Sequence, residues 1–306
     1  MKKHVYIYSP SGAVRDKAAF RRGIKRLEAL GHEVEVDQDA LESVMRFAGD
    51  DATRLRAIQR ACDSSADIAM ISRGGYGLTR ILPNLPYAQI DRAVARGMQF
   101  VGISDFTALQ LAVLAKKGTV TWAGPALCEG FGVGGASGEI PDDIMEDCFQ
   151  DLLSGQGEGT GWRQSKGSSE GELSVRNAMV WGGNLTVLTS LMGTPYFPNV
   201  RGGILFLEDI AEHPYRIERM LTQLLHAGVL AKQKAIVLGQ FTGYQLSAHD
   251  RGFKLSTVVA WLQTQIQVPV LTNLPYGHVQ TKVLLPVGKK AELASDGKDV
   301  MLFWGH

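Results

Sequence analysis

The sequence is poor in cysteine and has no long apolar run. Its three cysteines, Cys62, Cys128 and Cys148, are far apart and form no C-x-x-C pair, which argues against a disulfide framework and a cysteine-based zinc site. No segment reaches the roughly 18 consecutive apolar residues of a membrane span. The opening residues MKKHVYIYSPSG favour a first strand over a secretory signal. We therefore expect free thiols and a cytoplasmic protein that does not cross a membrane.

An excess of charge and the common cofactor motifs are also missing. The 32 basic and 31 acidic residues leave a net charge of +1 without a long basic run, which argues against nucleic acid as a partner. The sequence has no H-E-x-x-H or similar metal spacing, and the glycine-rich loop Arg73–Gly77 has neither the G-x-G-x-x-G spacing nor a G-K-[ST]. We therefore expect no bound metal and no other cofactor.

The chain alternates between short apolar strands and amphipathic helices. Apolar runs at His4–Tyr8, Ile68–Ser72 and Met98–Ile103 predict buried strands, whereas Lys17–Leu30 has apolar residues at helical spacing. Leu41–Phe47 is also predicted as a helix. Such alternation is typical of a doubly wound α/β sheet. In these sheets, ligands bind at the carboxyl ends of the strands.

A change in composition at residues 154–171 divides the chain. This stretch, SGQGEGTGWRQSKGSSEG, is rich in glycine, serine and charge, and it is predicted as a linker. It separates an N-terminal α/β domain, residues 1–153, from a smaller C-terminal domain, residues 172–306. Several short predicted strands near the end of the chain indicate that the second domain is a β-rich α/β unit. The length of 306 residues agrees with two domains.

Residues 98–118, MQFVGISDFTALQLAVLAKKG, combine a buried strand, a sharp corner and a helix. Ser104 lies at the corner, beside the amides that open the helix and that could stabilise an oxyanion. The match to the G-x-S-x-G nucleophile motif is incomplete, because Phe106 stands at the second glycine position. A second interpretation is that Ser104 or Asp105 only caps the helix, since both residue types are common caps.

A serine nucleophile requires a base and an acid that orients the base. Among the seven histidines, His278 has the most suitable setting, because it follows a predicted buried strand and the turn Tyr276–Gly277. Glu208 and Asp209 end the apolar strand ILFL, where either carboxylate could bind an imidazole or simply face solvent. A further strand leads into the glycine-rich loop Arg73–Gly77, whose backbone amides could approach a ligand closely.

These motifs together resemble the serine LD-carboxypeptidases, which include the murein tetrapeptide carboxypeptidases, and the related microcin C immunity peptidases. The resemblance covers nearly the whole chain. It rests on PSG at 10–12, RGGYG at 73–77, GISDFTAL at 102–109, GGNL at 182–185, ILFLED at 204–209, IERMLTQL at 217–224, VLGQFTG at 237–243 and GH at 277–278. The family fold pairs a flavodoxin-like or amidotransferase-like sheet domain with a smaller C-terminal domain, and the active site lies between them.

The resemblance implies a hydrolase with a Ser-His-Glu triad. It makes Ser104 the nucleophile, His278 the base and Glu208 the orienting acid, with the amides of Gly75 and Asp105 as the oxyanion hole. The implied reaction removes the terminal D-alanine from murein tetrapeptide during peptidoglycan recycling in the cytoplasm, and the implied assembly is a homodimer. From the same motifs we expect three substrate contacts, at Arg73, Gly74 and Asn184.

Two other functions remain open from the sequence. An immunity peptidase would cleave an aminoacyl-nucleotide conjugate and would need an aromatic surface for the purine, for which Trp162 and Trp181 are candidates. A non-catalytic two-domain binding protein could close on a small ligand. A glutamine amidotransferase is disfavoured, because those enzymes have a cysteine where Ser104 stands.

Overall fold

The computed structural model describes residues 2–135, 138–165 and 171–305. The strands are β1 (His4–Tyr8), β2 (Glu33–Val36), β3 (Ile68–Ile71), β4 (Gln99–Gly102), β5 (Thr121–Ala123), β6 (Gly159–Arg163), β7 (Leu173–Asn184), β8 (Ile204–Ile210), β9 (Ala235–Thr242), β10 (Val270–Leu271), β11 (Leu285–Val287), β12 (Lys290–Ser295) and β13 (Asp299–Phe303). The α-helices are α1 (Lys17–Ala29), α2 (Asp51–Asp63), α3 (Tyr87–Ala95), α4 (Phe106–Lys117), α5 (Asp143–Ser154), α6 (Leu185–Ser190), α7 (Pro214–His226) and α8 (Leu255–Gln265). Within these described ranges, no helix is both long enough and apolar enough to span a membrane.

The first sheet has the order β11-β5-β4-β3-β1-β2. Strands β1 to β5 pair in parallel, and their order 2-1-3-4-5 is that of a flavodoxin-like doubly wound sheet. All four residues of β3 are buried, as expected for a strand that helices cover on both faces. The predicted doubly wound α/β fold is therefore confirmed.

The carboxyl ends of these parallel strands bring the serine and glycine-rich motifs to one edge. Pro10–Gly12 follows β1, Arg73–Gly75 follows β3 and Ser104 follows β4. The strand order reverses at β1 and β3, and doubly wound sheets bind ligands at this point. A hydrogen bond of 3.3 Å from Gly12 N to Gly74 O joins the first two loops. The fold thus places the motifs where a ligand site is expected.

The second sheet has the order β10-β9-β8-β7-β12-β13-β6. Strands β7 to β10 pair in parallel, whereas the pairs β7–β12, β12–β13 and β13–β6 are antiparallel. The long strand β7 joins the parallel and antiparallel parts of this sheet, because its first part pairs with β12 and its last part pairs with β8. The C-terminal half is thus the β-rich α/β arrangement that the sequence predicts.

The stretch predicted as a linker contains an edge strand. Gly159–Arg163 forms β6 and pairs along its whole length with β13. Its glycine-rich composition does not prevent this pairing. Hydrogen bonds to β13 satisfy the backbone polar groups of β6, and the sheet buries Trp162. Residues 166–170 of the predicted linker lie outside the described residues. The division into domains at 153 and 172 stays a prediction.

One segment of the C-terminal half returns to the first sheet. Strand β11 pairs antiparallel with β5, with Leu285 opposite Ala123 and Val287 opposite Thr121. The chain between β10 and β11 therefore passes from the second sheet to the first, and it carries His278. Helix α4, which follows Ser104, contacts both α6 and β7 of the second unit. These two connections hold the units together around the predicted site.

The helix predicted at Leu41–Phe47 is wrong. The segment forms turns, closed by bridges between Val44 and Phe47 and between Gly12 and Phe47. Met45 has a φ of +54° and is 85% exposed. The apolar residues of this segment therefore form no buried helical face.

Candidate active site

Ser104 occupies a strained corner between β4 and α4. Its φ of +66° is in the left-handed region, which costs a non-glycine residue about 1–3 kcal/mol. The corner is closed by hydrogen bonds from Phe106 N to Ile103 O (3.2 Å) and from Thr107 N to Ser104 O (2.9 Å). The loop after β3 lies close, since a Cβ on Gly74 would be 2.9 Å from Ser104 Oγ. This geometry is that of a nucleophile elbow, despite the missing second glycine.

Asp105 does not cap α4, which contradicts the interpretation of this corner as a simple helix cap. The helix has no side-chain cap hydrogen bond. The buried Asp105 carboxylate instead accepts hydrogen bonds from Ser11 Oγ and from Leu78 N, the latter at 2.8 Å. Burial raises the pKa of Asp105, although these hydrogen bonds oppose the rise. Asp105 thus ties the loops after β1 and β3 to the Ser104 corner.

The backbone amides of Gly75 and Asp105 are available beside this corner. Gly75 lines the same cavity as Ser104, and a Cβ on Gly75 would lie 2.4 Å from Asp105 Oδ2. Within the described ranges, neither amide donates a hydrogen bond to another residue. Unpaired amides next to a hydroxyl are the donors that an oxyanion hole requires.

His278 and Glu208 form a hydrogen-bonded pair. The distance from His278 Nδ1 to Glu208 Oε2 is 2.8 Å, and the Glu208 side chain is fully buried, whereas 17% of the His278 side chain is exposed. Because a carboxylate only accepts hydrogen bonds, we assign the imidazole proton to Nδ1, which leaves Nε2 free to act as a base. The turn needs glycine at 277, where φ is +142° and a Cβ would lie 2.9 Å from Gln240 O.

Two opposing influences set the pKa of His278. Burial favours the neutral imidazole and lowers the pKa, while the hydrogen bond and the negative charge of Glu208 favour the charged form. The second influence prevails, with smaller help from Glu129 and Asp209, and the pKa of His278 lies above its ordinary value of 6.5. The imidazolium that would form during proton transfer is therefore stabilised.

The structure distinguishes two neighbouring carboxylates that the sequence leaves equivalent. Asp209 Oδ2 accepts hydrogen bonds from Thr186 N (2.8 Å) and Thr186 Oγ1 (2.7 Å). Asp209 Oδ1 accepts from Asn184 Nδ2 at 2.9 Å and from Ile210 N at 2.8 Å. Asp209 therefore anchors the first turn of α6, and Glu208 is the residue that binds the imidazole.

Asn184 lies behind Glu208, not on the cavity wall where a substrate contact was expected. It is only 4% exposed, and its Nδ2 donates to Glu208 Oε1 at 3.2 Å. Its backbone N donates to Thr107 Oγ1, in the first turn of α4, at 3.0 Å. The expectation for Asn184 is corrected accordingly, because its side chain is used to hold Glu208. Thr107 and Asn184 thus link the helix that follows Ser104 to Glu208, and no motif in the sequence indicates this link.

Ser104 and His278 line one cavity of about 490 Å³. Arg73 and Gly74, both expected as substrate contacts, belong to the same wall. In the described part of the chain, Ser104 Oγ makes no direct hydrogen bond to the imidazole. Such catalytic hydrogen bonds often become short only when a substrate is bound. The cavity thus brings together a strained serine and a histidine that is oriented by a buried carboxylate.

Charged side chains of both signs surround this cavity. Arg73 Nε lies 3.5 Å from Glu129 Oε1, and Arg73 Nη1 donates to Ala13 O at 3.4 Å. Although 46% of the Glu129 side chain is open to the cavity, the surrounding protein removes part of its hydration and raises its pKa, and Arg73 opposes this rise. Among the residues described, no group of three or more His, Cys, Asp or Glu side chains is arranged to hold a metal ion.

Neither candidate tryptophan lines this cavity. Trp162 Nε1 donates to Thr272 O at 3.0 Å, and the fully buried Trp181 donates to Gln233 Oε1 at 3.0 Å. The described wall contains no aromatic side chain other than the imidazole. Both indoles are therefore packing residues, and the expected aromatic surface for a purine is not found at this cavity.

Two family models, one for each domain of the same family of peptidases, match the chain. The LD-carboxypeptidase N-terminal domain matches residues 5–124, and the LD-carboxypeptidase C-terminal domain matches residues 177–293. The matched residues make up more than half of the chain. They include Ser104, Glu208 and His278.

Individual proteins agree with these matches. A putative carboxypeptidase of Synechocystis sp. is 31% identical over 294 residues, which cover 95% of this chain and 91% of the relative. The microcin C7 self-immunity protein MccF of Escherichia coli is 28% identical over 260 residues, covering 76% and 72%. The crystal structure of a muramoyltetrapeptide carboxypeptidase from Oxalobacter formigenes has a TM-score of 0.87 and 37% sequence identity, and the match covers 99% of both chains.

Proposed function

The chain belongs to the LD-carboxypeptidase family, and from this premise we propose that it is a serine carboxypeptidase that removes the terminal D-alanine of murein tetrapeptide. In this proposal Ser104 is the nucleophile, His278 is the general base and Glu208 orients the imidazole. The amides of Gly75 and Asp105 bind the oxyanion. The observation that carries the proposal is the 2.8 Å hydrogen bond between His278 and the buried Glu208, beside a serine with a φ of +66° in the same cavity.

Acylation begins when Ser104 Oγ attacks the carbonyl carbon of the L–D peptide bond. His278 Nε2 takes the serine proton, and Glu208 stabilises the resulting imidazolium. The carbonyl oxygen becomes an oxyanion and accepts hydrogen bonds from the amides of Gly75 and Asp105. The C–N bond then breaks, and His278 returns the proton to the amine of the departing D-alanine. A peptidyl ester on Ser104 remains.

Deacylation repeats these steps with water in place of the serine hydroxyl. His278 removes a proton from the water, and the resulting hydroxide attacks the ester carbonyl. The second oxyanion is bound by the same two amides, and its collapse returns the proton to Ser104 Oγ. The tripeptide leaves with a new carboxylate. In both steps the proton moves through His278, and the two amides bind the oxyanion without transferring a proton.

Purified protein is expected to release D-alanine from murein tetrapeptide. Its rate of alanine release from the diastereomer that ends in L-alanine is expected to be at least about 100-fold lower. The reason is that inversion at the terminal centre moves the reacting carbonyl relative to Ser104 by about an ångström, which is enough for such a loss. The measurement is mass detection of the free amino acid, with both diaminopimelate- and lysine-containing peptides as substrates. Tight binding of every tetrapeptide without any release would instead identify a binding protein.

The rate of D-alanine release is expected to fall as the pH drops below the pKa of His278. The base works only when the imidazole is neutral, and its pKa is raised by Glu208. The midpoint of the acidic limb of kcat/KM is therefore expected above about 6.5, the unperturbed histidine value. A pH profile of kcat/KM from pH 5 to 9 checks this. A rate that does not change between pH 5 and 8 would rule out His278 as the base.

An aminoacyl-nucleotide substrate finds less support at this site, since the described cavity wall has no aromatic surface for a purine.

We propose that the enzyme acts in the cytoplasm, in the recycling of cell-wall peptides. All three cysteines are free thiols, which suits a reducing compartment. The homodimer stays a prediction.

A further inference from the structure

Lys282 is a buried cation for which the described residues provide no hydrogen-bond or ion-pair partner. It is only 3% exposed, and it lines the cavity that contains Ser104 and His278. No described residue accepts a hydrogen bond from its ammonium group or lies within 4 Å of it as an ion-pair partner. A buried charge that is not compensated normally destabilises a fold. Its presence at this place therefore suggests that its counter-ion comes with a ligand.

The surroundings of Lys282 leave its charge only partly balanced. Burial lowers the pKa of Lys282, while the more distant carboxylates of Glu129, Glu208 and Asp142 oppose that fall. Glu208 is engaged by His278, and Glu129 faces Arg73. The acidic groups around the cavity thus have partners of their own. An anion that enters the cavity would meet an ammonium group with free hydrogen-bond donors.

Arg73, which the sequence suggests as a substrate contact, is the other cation on the described wall of this cavity, and it is less available to a carboxylate. Its guanidinium already contacts Glu129 and the carbonyl of Ala13. A carboxylate that binds Arg73 must compete with those acceptors, whereas one that binds Lys282 has no competitor among the described residues. Lys282 lies on the same connection as His278, four residues further along the chain.

We propose that Lys282 binds the C-terminal carboxylate of the peptide substrate and so restricts the enzyme to free chain ends. This inference rests on the proposed function. A peptide that ends at the scissile D-residue places its carboxylate on the ammonium group and forms a charge-assisted hydrogen bond. A peptide that continues past this residue, or that ends in an amide, leaves the ammonium buried and unpaired, which is unfavourable. The same cation thus attracts the correct substrate and rejects the wrong one.

The test compares murein tetrapeptide with its C-terminal amide, which differs only in charge and one atom type at the end of the chain. Binding is measured by calorimetry with the Ser104→Ala variant, so that neither ligand is consumed. The acid is expected to bind about 10- to 100-fold more tightly than the amide, as for a buried hydrogen bond to a charged group. Adding Lys282→Met to this variant is expected to reduce the ratio to about one, because the substitution keeps the length of the side chain but removes its charge.

Two controls keep this comparison interpretable. Lys290→Met, on an exposed position of β12, is expected to leave the acid-to-amide ratio unchanged. Lys282→Met is expected to unfold at a temperature no lower than wild type, since it removes an uncompensated buried charge. If Lys282→Met does not fold, Lys282→Gln and the acid-to-amide ratio of the Ser104→Ala variant alone still test the inference.

The outcomes separate this inference from the proposed function. Equal binding of acid and amide by the Ser104→Ala variant, or an unchanged ratio after Lys282→Met, would overturn the role of Lys282. D-Alanine release by wild-type protein would still support the carboxypeptidase in that case. Absence of any release by wild type would instead overturn the proposed function. A ratio that collapses only when Lys282 is replaced, with release intact in wild type, supports both.

Discussion

Ser104→Ala is expected to lower kcat for D-alanine release by about 10⁴- to 10⁶-fold, the range seen when a serine hydrolase loses its nucleophile. Without the hydroxyl, no peptidyl ester can form, and only binding and the oxyanion hole contribute to the remaining rate. The fold is expected to be unaffected, because alanine keeps the Cβ and has the same strain at a φ of +66°. The measurement is single-turnover release of D-alanine, followed by mass spectrometry.

An exposed serine provides the control for this variant. Ser174 lies on an exposed position of β7, and Ser174→Ala is expected to retain the wild-type rate. Thermal unfolding of both variants verifies that neither has lost its structure. If the Ser104→Ala variant releases D-alanine at the rate of wild type, the covalent mechanism is wrong even if the family assignment stands.

Glu208→Gln is expected to lower kcat by about 10⁴-fold, as when a triad carboxylate is replaced by its amide. Glutamine has the same size but no charge, and its NH₂ group can donate to Nδ1, which places the imidazole proton on the wrong nitrogen. The charge that raises the pKa of His278 is lost as well, while burial still lowers it. The acidic limb of the remaining activity is therefore expected to move to lower pH.

The shift of the acidic limb separates an electrostatic role from a structural one. A variant that is only misfolded loses activity at every pH without a change in midpoint. Glu292→Gln, on an exposed position of β12, serves as the matched substitution and is expected to leave rate and midpoint unchanged. A Glu208→Gln variant with more than about a tenth of the wild-type kcat would contradict the assignment of Glu208 as the orienting acid.

The sequence predicts the elements that carry the site better than it predicts their contacts. Apolar strands followed by glycine or serine place Ser104 and Arg73–Gly75 at strand ends, since the carboxyl ends of parallel strands share one edge. The partner of Ser104 is harder to predict, because His278 reaches the cavity only through the return of β11 to the first sheet. No local pattern encodes that crossing, and the resemblance to a family supplied what periodicity could not.

Side chains that act through other residues were the hardest to identify. Asn184 follows a glycine pair at a strand end and was expected at the substrate, yet packing of α4 against β7 turns its amide towards Glu208 and its backbone towards Thr107. The sequence gives no sign that Lys282 is buried, because a lysine in a loop is usually solvated. Its burial depends on the tertiary structure alone.

Local composition also misled in two places. Leu41–Phe47 has apolar residues at a density that favours a helix, but Phe47 instead packs beneath the guanidinium groups of Arg54 and Arg80. Residues 159–163 are rich in glycine and were assigned to a linker, although they form an edge strand with β13. In both cases long-range contacts outweigh local propensity.

The most direct test of the account is a crystal structure of the Ser104→Ala variant with intact murein tetrapeptide. In that structure we expect the carbonyl carbon of the terminal bond to lie about 3–3.5 Å from the position that Ser104 Oγ has in the wild type. The carbonyl oxygen is expected about 2.7–3.1 Å from the amides of Gly75 and Asp105. A peptide bound with this bond outside the cavity, or with its carbonyl oxygen turned away from both amides, would contradict the proposed chemistry.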